Sequence, residues 1–218
     1  MAVGDEIRAS VLATRVIASV DDGMMKQFKL KKEQRCIGII TADSDDVTYV
    51  ALDEATKAAQ VDVVYARSFY AGAAHSSGLL SGEVIGIIAG PGPADVIAGL
   101  QRAQEVIETE ACFFSANEDG SIAYFAHLVS ATGGYLSKEG GLQRGDSMAY
   151  LIAPPLEAMF GMDAALKAAS VKVATFFAPP SETNYGGGYL TGTQAACRAA
   201  CEAFEEAVLA VAKNPIDI

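Results

Sequence analysis

The hydrophobic and polar positions change period several times along this chain, and each change marks an element. Residues 10–20 are apolar and β-branched and predict a strand. The amphipathic stretch 21–32, with Asp21 as an N-cap signal, predicts a short helix. Apolar runs at 37–42 and 47–51 predict strands around the acidic cluster Asp43-Ser44-Asp45-Asp46. A helix is expected over 53–60 and a strand over 61–66, followed by a loop of small residues at 71–78. Residues 83–89 predict an apolar strand. Gly90-Pro91-Gly92-Pro93 is then a turn whose proline opens a helix over 94–108. Val96, Leu100, Ala103 and Ile107 give that helix an apolar stripe, which needs a sheet to cover it.

The second half runs through a similar order. Residues 111–115 and 122–129 predict strands, and a polar loop spans 130–146. A strand over 148–153, a helix over 156–169 and a strand over 171–177 follow. Residues 181–188 read as a loop, a short strand is expected near Tyr189, and a helix over 194–212 closes the chain. The order strand, helix, strand, loop, strand, helix implies a sheet with helices on one face, an α/β (α+β) fold.

The likeness of the halves is also literal. Asp53, Ala55, Lys57, Ala58, Ala59, Val61 and Val63 recur at one constant offset as Asp163, Ala165, Lys167, Ala168, Ala169, Val171 and Val173. A repeat this long fits a duplicated domain rather than a solenoid unit. The expected domains are 1–109 and 110–218, packed without a linker. Three copies of such a chain offer six quasi-equivalent positions around one axis.

Composition narrows the function classes. A chain of 218 residues that is 51% hydrophobic can bury two ordinary cores. The formal net charge of −11 opposes binding to a phosphate backbone, so no nucleic acid partner is expected. No apolar run of about 18 residues occurs, so no transmembrane helix is expected. The N-terminus carries acids and lacks an apolar core, which argues against a secretory leader. Cys36, Cys112, Cys197 and Cys201 form no Cys-x-x-Cys pair. Cys197 and Cys201 share a helix face, but a zinc site needs about four ligands, and His75 and His127 show no matching spacing. Small buried thiols are the plainer reading, and no metal or cofactor is expected. No phosphate-binding Gly-Lys-Ser/Thr loop, nucleophile elbow or His-Glu-x-x-His pair is present, so the chain is not expected to be an enzyme.

The repeated Lys-Ala-Ala-x-Val element resembles the bacterial microcompartment shell-protein family. Further stretches carry the resemblance: residues 41–49, 53–57, 67–73, 153–158 and 179–185, among them Arg67-Ser68-Phe69-Tyr70-Ala71-Gly72-Ala73 and Pro179-Pro180-Ser181-Glu182-Thr183-Asn184-Tyr185. They point to its tandem-domain, trimeric members from ethanolamine-utilisation compartments. The resemblance implies two circularly permuted shell domains and a homotrimer shaped as a pseudohexameric tile. It also implies neighbouring shell proteins in a hexagonal layer, within a cytoplasmic compartment shell. A central pore gated by Phe69, Tyr70, Ala71, Gly72, Ser181, Glu182, Thr183, Asn184 and Tyr185 is implied as well. Lys57 and Lys167 become lateral-interface residues. Asp45, Asp46 and Glu83, walled by Phe113, become a small pore for an amine such as ethanolamine.

Each assignment has a plainer competitor. Asp43, Asp45 and Asp46 can be a solvated turn that caps nearby amides. Phe113 can be ordinary core. Lys57 and Lys167 can be helix ends near the negative pole of the dipole. A trimeric amine sensor is the alternative function, and it would form discrete trimers rather than sheets.

Overall fold

The computed structural model describes residues 1–69, 79–179 and 184–217. In chain order its elements begin with β1 (Glu6–Ile7), β2 (Val11–Ile17), α1 (Asp22–Gln27), β3 (Cys36–Ala42) and α2 (Asp45–Ala58). Next come β4 (Asp62–Ser68), β5 (Val84–Gly90) and α3 (Pro93–Glu105), which ends in a π-helical turn over Val106–Glu110. The second half holds β6 (Phe113–Ser115), β7 (Ala123–Val129), α4 (Leu136–Glu139), β8 (Ser147–Ala153) and α5 (Pro155–Ala168). It ends with β9 (Val171–Phe177), β10 (Gly186–Gly192) and α6 (Gln194–Lys213).

The chain divides into two compact units. The N-terminal unit comprises Arg8–Ala111 with Gly133–Leu136. The C-terminal unit comprises Cys112–Thr132 and Ser137–Ile218 with Met1–Ile7. Each half thus lends a short segment to the other unit.

In the N-terminal unit four antiparallel strands lie in the order β2-β3-β5-β4. The β3–β5 register pairs Ile37 with Ala89 and Ile39 with Ile87. Alternation then sends these side chains to one face and Gly38, Ile40, Gly86 and Ile88 to the other. On the second face Ile88 meets α3 at Gly99, and Leu52 of α2 lies over Gly86. On the first face Val20, Ile37, Ile87 and Ala89 form a smaller core with Met25, Phe28 and Leu30. The short α1 supplies Met25 to that core, and Asp21 caps it by accepting from the Gly23 amide at 2.8 Å. The helix is shorter than its amphipathic stretch because Lys29 turns left-handed at φ 53°.

One expected strand is a helix. Residues 47–51 lie inside α2, which starts at Asp45. Their β-branched composition reads as strand, but Val47, Val50 and Ala51 sit at helical spacing and all three are buried. Tertiary burial of that stripe outweighs the weak β-preference of two valines.

The C-terminal unit contains the order β1-β6-β7-β8-β10-β9. Its β7-β8-β10-β9 portion repeats the order of the N-terminal sheet, so the duplication read in the sequence is a duplication of topology. A core of Ala149, Leu151, Leu190, Met162, Cys197, Ala200, Phe204 and Val208 joins this sheet to α5 and α6. The two helices cross where Gly161 faces the Phe204 ring; a Cβ there would stand 2.7 Å from the ring. Gly186, Gly187 and Gly188 belong to β10 rather than to the preceding loop. They pair with Ala153, Ile152 and Leu151, and a glycine run offers no hydrophobic pattern by which to read that pairing.

Candidate functional site

The acidic cluster is the opening turn of α2, not a turn between strands. Ser44 takes the N-cap position with extended backbone (φ −145°, ψ 123°) and makes no side-chain cap bond. Asp45 and Asp46 follow, each only 7% exposed. The Asp46 amide donates to Asp45 Oδ1 at 2.9 Å. Carboxylates are favoured here because the first amides of a helix are unpaired and carry partial positive charge. Asp43, just outside, is exposed and accepts the Ser10 amide at 2.7 Å.

Glu83 reaches the same place through a tight turn. Gly82 has φ +61°, and a Cβ on it would fall 2.1 Å from the Ala42 carbonyl oxygen. That approach lets the Glu83 amide donate to the Ala42 carbonyl at 2.8 Å. The Glu83 carbonyl in turn accepts the Phe69 amide at 2.9 Å. Burial pushes the Glu83 carboxyl up, and the negative charges of Asp45 and then Asp43 push it further the same way. These three acids therefore share one electrostatic neighbourhood. Tyr49, one turn after Asp45, is pushed up to about 12 by burial, against a hydrogen bond with Ser68. Its phenol stays neutral and borders the acids with a polar, uncharged group. Like charges held in a partly dry setting are relieved by a cation, and an ammonium that donates several hydrogen bonds relieves them well.

Phe113 lies on β6 in the C-terminal unit. Its ring packs against Phe125 at 5.1 Å and edge-on to Tyr185 at 6.2 Å. Among the gate residues, Phe69 is half-buried and held by the bond to Glu83. Asn184 is exposed with φ 65°, and Tyr185 is half-buried. Tyr70, Ala71, Gly72, Ser181, Glu182 and Thr183, with His75, lie outside the described residues.

The two repeated lysines end their helices in different company. Lys57 bonds Glu54 and lies 3.8 Å from Asp53 Oδ2. Lys167 pairs with Asp163 at 2.5 Å, and both of these side chains are largely in solvent. Asp53 itself is fully buried and accepts the amides of Gly133 at 2.6 Å, Tyr135 at 3.1 Å and Leu136 at 2.7 Å. Sequence reasoning passed over Tyr49 and this use of Asp53. A helix read from Asp45 onward would have placed Tyr49 on the face of Asp45. No sequence signal joins Asp53 to Gly133.

Among the described residues no group of His, Cys, Asp and Glu has the arrangement of a metal site. All four cysteines are buried free thiols, and burial pushes Cys201 up to about 12. A thiol that stays protonated is inert at neutral pH. No helix among the described residues is long and apolar enough to cross a membrane.

Residues 36–117 match the model of the BMC domain family. The chain is 58% identical over 212 residues to the bacterial microcompartment shell protein EutL of Clostridium perfringens (strain 13 / Type A), covering 97% of this chain and 98% of that one. It superposes on the crystal structure of the ethanolamine utilization protein EutL from Leptotrichia buccalis C-1013-b with a TM-score of 0.97 at 60% identity, each chain covered in full. EtuB from Clostridium kluyveri shares the fold at a TM-score of 0.76 and 21% identity, over 93% of this chain and 88% of that one.

Proposed function

The chain belongs to the EutL family of bacterial microcompartment shell proteins, and from that premise we propose that it is a homotrimeric, pseudohexameric tile of an ethanolamine-utilisation shell that admits a small amine through acidic pores. Its work is structural and selective rather than catalytic. Asp45, Asp46 and Glu83 of the N-terminal unit bind the ammonium group through charge-assisted hydrogen bonds. Phe69, Asn184 and Tyr185 are the described members of the set expected to gate a larger central pore. Lys57 and Lys167 lie along the tile edges, where a long stem and an ammonium can meet a neighbour's carbonyls.

The observation that supports the small-pore reading is the burial of Asp45 and Asp46 in the opening turn of α2, with a Glu83 carboxyl pushed up by burial and then by the charges of Asp45 and Asp43. A solvated turn would leave such acids in water at no cost. Here they are held together against repulsion, and a passing cation removes the penalty. The same charges turn anions away.

Affinity is bounded by ligand size. Ethanolamine has four heavy atoms, and a ceiling of about −1.5 kcal/mol per atom limits binding to roughly −6 kcal/mol. The dissociation constant is then tens of micromolar at the tightest, on the order expected of a site that releases its cargo. Titration calorimetry with ethanolamine tests the reading, beside Asp45→Asn and Glu83→Gln. Weak, salt-sensitive binding in the parent and at least a tenfold loss in both variants is the expected result. Equal binding by parent and variants removes the acids from the site.

A further inference from the structure

The N-terminal unit sets a phenol beside its acids. Tyr49 follows Asp45 by one turn of α2, so the two side chains share a helix face. Tyr135 flanks the Tyr49 ring, with centroids 5.9 Å apart. The Tyr49 hydroxyl bonds both the side chain and the backbone of Ser68, the last residue of β4. The β4–β5 ladder pairs Ser68 with Val84, the residue after Glu83. The next amide, that of Phe69, donates to the Glu83 carbonyl at 2.9 Å. The phenol is thus tied to Glu83 through the strand ends and to Asp45 through its own helix. Burial first, and then the charges of Asp45 and Asp46, push it up to about 12, against the bonds to Ser68.

Packing alone does not call for the hydroxyl, since a phenylalanine ring would fill the same place against Tyr135. What the hydroxyl adds is a neutral donor among acids. Ionised carboxylates only accept, so Asp45, Asp46 and Glu83 serve an ammonium but give nothing to a ligand's oxygen. A phenol has one O–H and two lone pairs, and the bonds to Ser68 leave it one more. The side chain is half-buried, not sealed in the core.

We propose that Tyr49 is the specificity-determining residue of the acidic site: its O–H donates to the hydroxyl oxygen of the bound amine, and the site selects 1,2-amino alcohols over plain alkylamines. The proposal rests on the amine reading above and adds a second point of recognition to it. The carboxylates hold the charge, which every primary amine carries. The phenol reads the alcohol, which only some carry, at a distance of two carbons from the nitrogen.

Titration calorimetry with ethanolamine and with n-propylamine tests this. The two ligands match in charge and heavy-atom number, and a methyl group replaces the hydroxyl. The parent should bind ethanolamine about three- to tenfold more tightly, the net worth of one neutral hydrogen bond. Tyr49→Phe, its folding checked by circular dichroism, should lose that preference by weakening ethanolamine while leaving propylamine unchanged. A merely structural tyrosine would weaken both ligands alike on substitution, and that result overturns the proposal. A parent that binds the two equally also overturns it, needs no variant, and leaves the ammonium site standing. A parent that binds neither overturns the amine reading itself, and the proposal with it.

Discussion

Asp53 Oδ2 accepts the amide of Gly133 at 2.6 Å across 80 positions of sequence, and both groups are buried. Asp53 Oδ1 serves Tyr135 and Leu136. One carboxylate thus fixes the segment that the second half of the chain lends to the N-terminal unit. Its repeat partner Asp163 is largely in solvent and pairs with Lys167. Duplication kept the residue, and the surroundings gave it a new task.

Removing that carboxylate orphans buried donors, each worth about 1–3 kcal/mol. Asp53→Ala should therefore lower unfolding stability by about 3 kcal/mol or more in chemical denaturation. Asp53→Asn keeps an acceptor for Tyr135 and Leu136 and should cost less than Asp53→Ala. Equal stability of parent and Asp53→Ala would show that the segment is held by other contacts.

Glu83 gives a pH dependence with a definite sign. Burial and the charges of Asp45 and Asp43 raise its folded pKa above the unfolded value. Its contribution to stability is fully present below the unfolded pKa and is lost as pH rises through the raised, folded one. An ammonium ligand needs the ionised form, so amine binding should fade as pH falls through that same raised range. Glu83→Gln should flatten both trends. Calorimetry and thermal melts across mildly acidic pH follow them, and binding that strengthens on acidification would contradict the role given to Glu83.

Gly82 links backbone geometry to the acids. Alanine there is strained at φ +61° and its Cβ collides with the Ala42 carbonyl oxygen. Gly82→Ala should cost about 1–3 kcal/mol and should also weaken amine binding by moving Glu83. Unchanged affinity in a destabilised variant would mean that Glu83 finds its place without this turn.

Much of this was legible in the sequence, and the failures have physical causes. The repeat of Asp53–Val63 at Asp163–Val173 is local and periodic, and it carried the α/β fold and the family. The acids of α2 were legible as charge but not as geometry. Two valines among residues 47–51 hide a helix whose stripe emerges only when buried against a sheet. Gly186–Gly188 show no alternation, so β10 was invisible at its start. The pairing of Asp53 with Gly133, and the turn of Gly82 onto Ala42, are long-range and leave no mark on either segment. The exposure of Leu156 and Phe160 on α5 was hidden for another reason: a helical pattern alone does not tell an exposed apolar residue from a buried one.

The lysines test the edges of the tile. Lys167→Ala removes an exposed ion pair and should cost at most about 0.5 kcal/mol of fold stability. Lys57→Ala also removes the cation beside buried Asp53 and should cost somewhat more, about 1 kcal/mol. The double variant should remain a trimer by light scattering yet lose layer formation. Sheets as extensive as the parent's would take both lysines away from the edge.

Electron microscopy of the concentrated protein bears most directly on the central claim, that this chain is a tile of a shell. Flat layers of threefold particles on a hexagonal lattice are the predicted result. Discrete trimers that bind amine but never form layers, at any concentration or salt, would contradict it and favour a sensor instead.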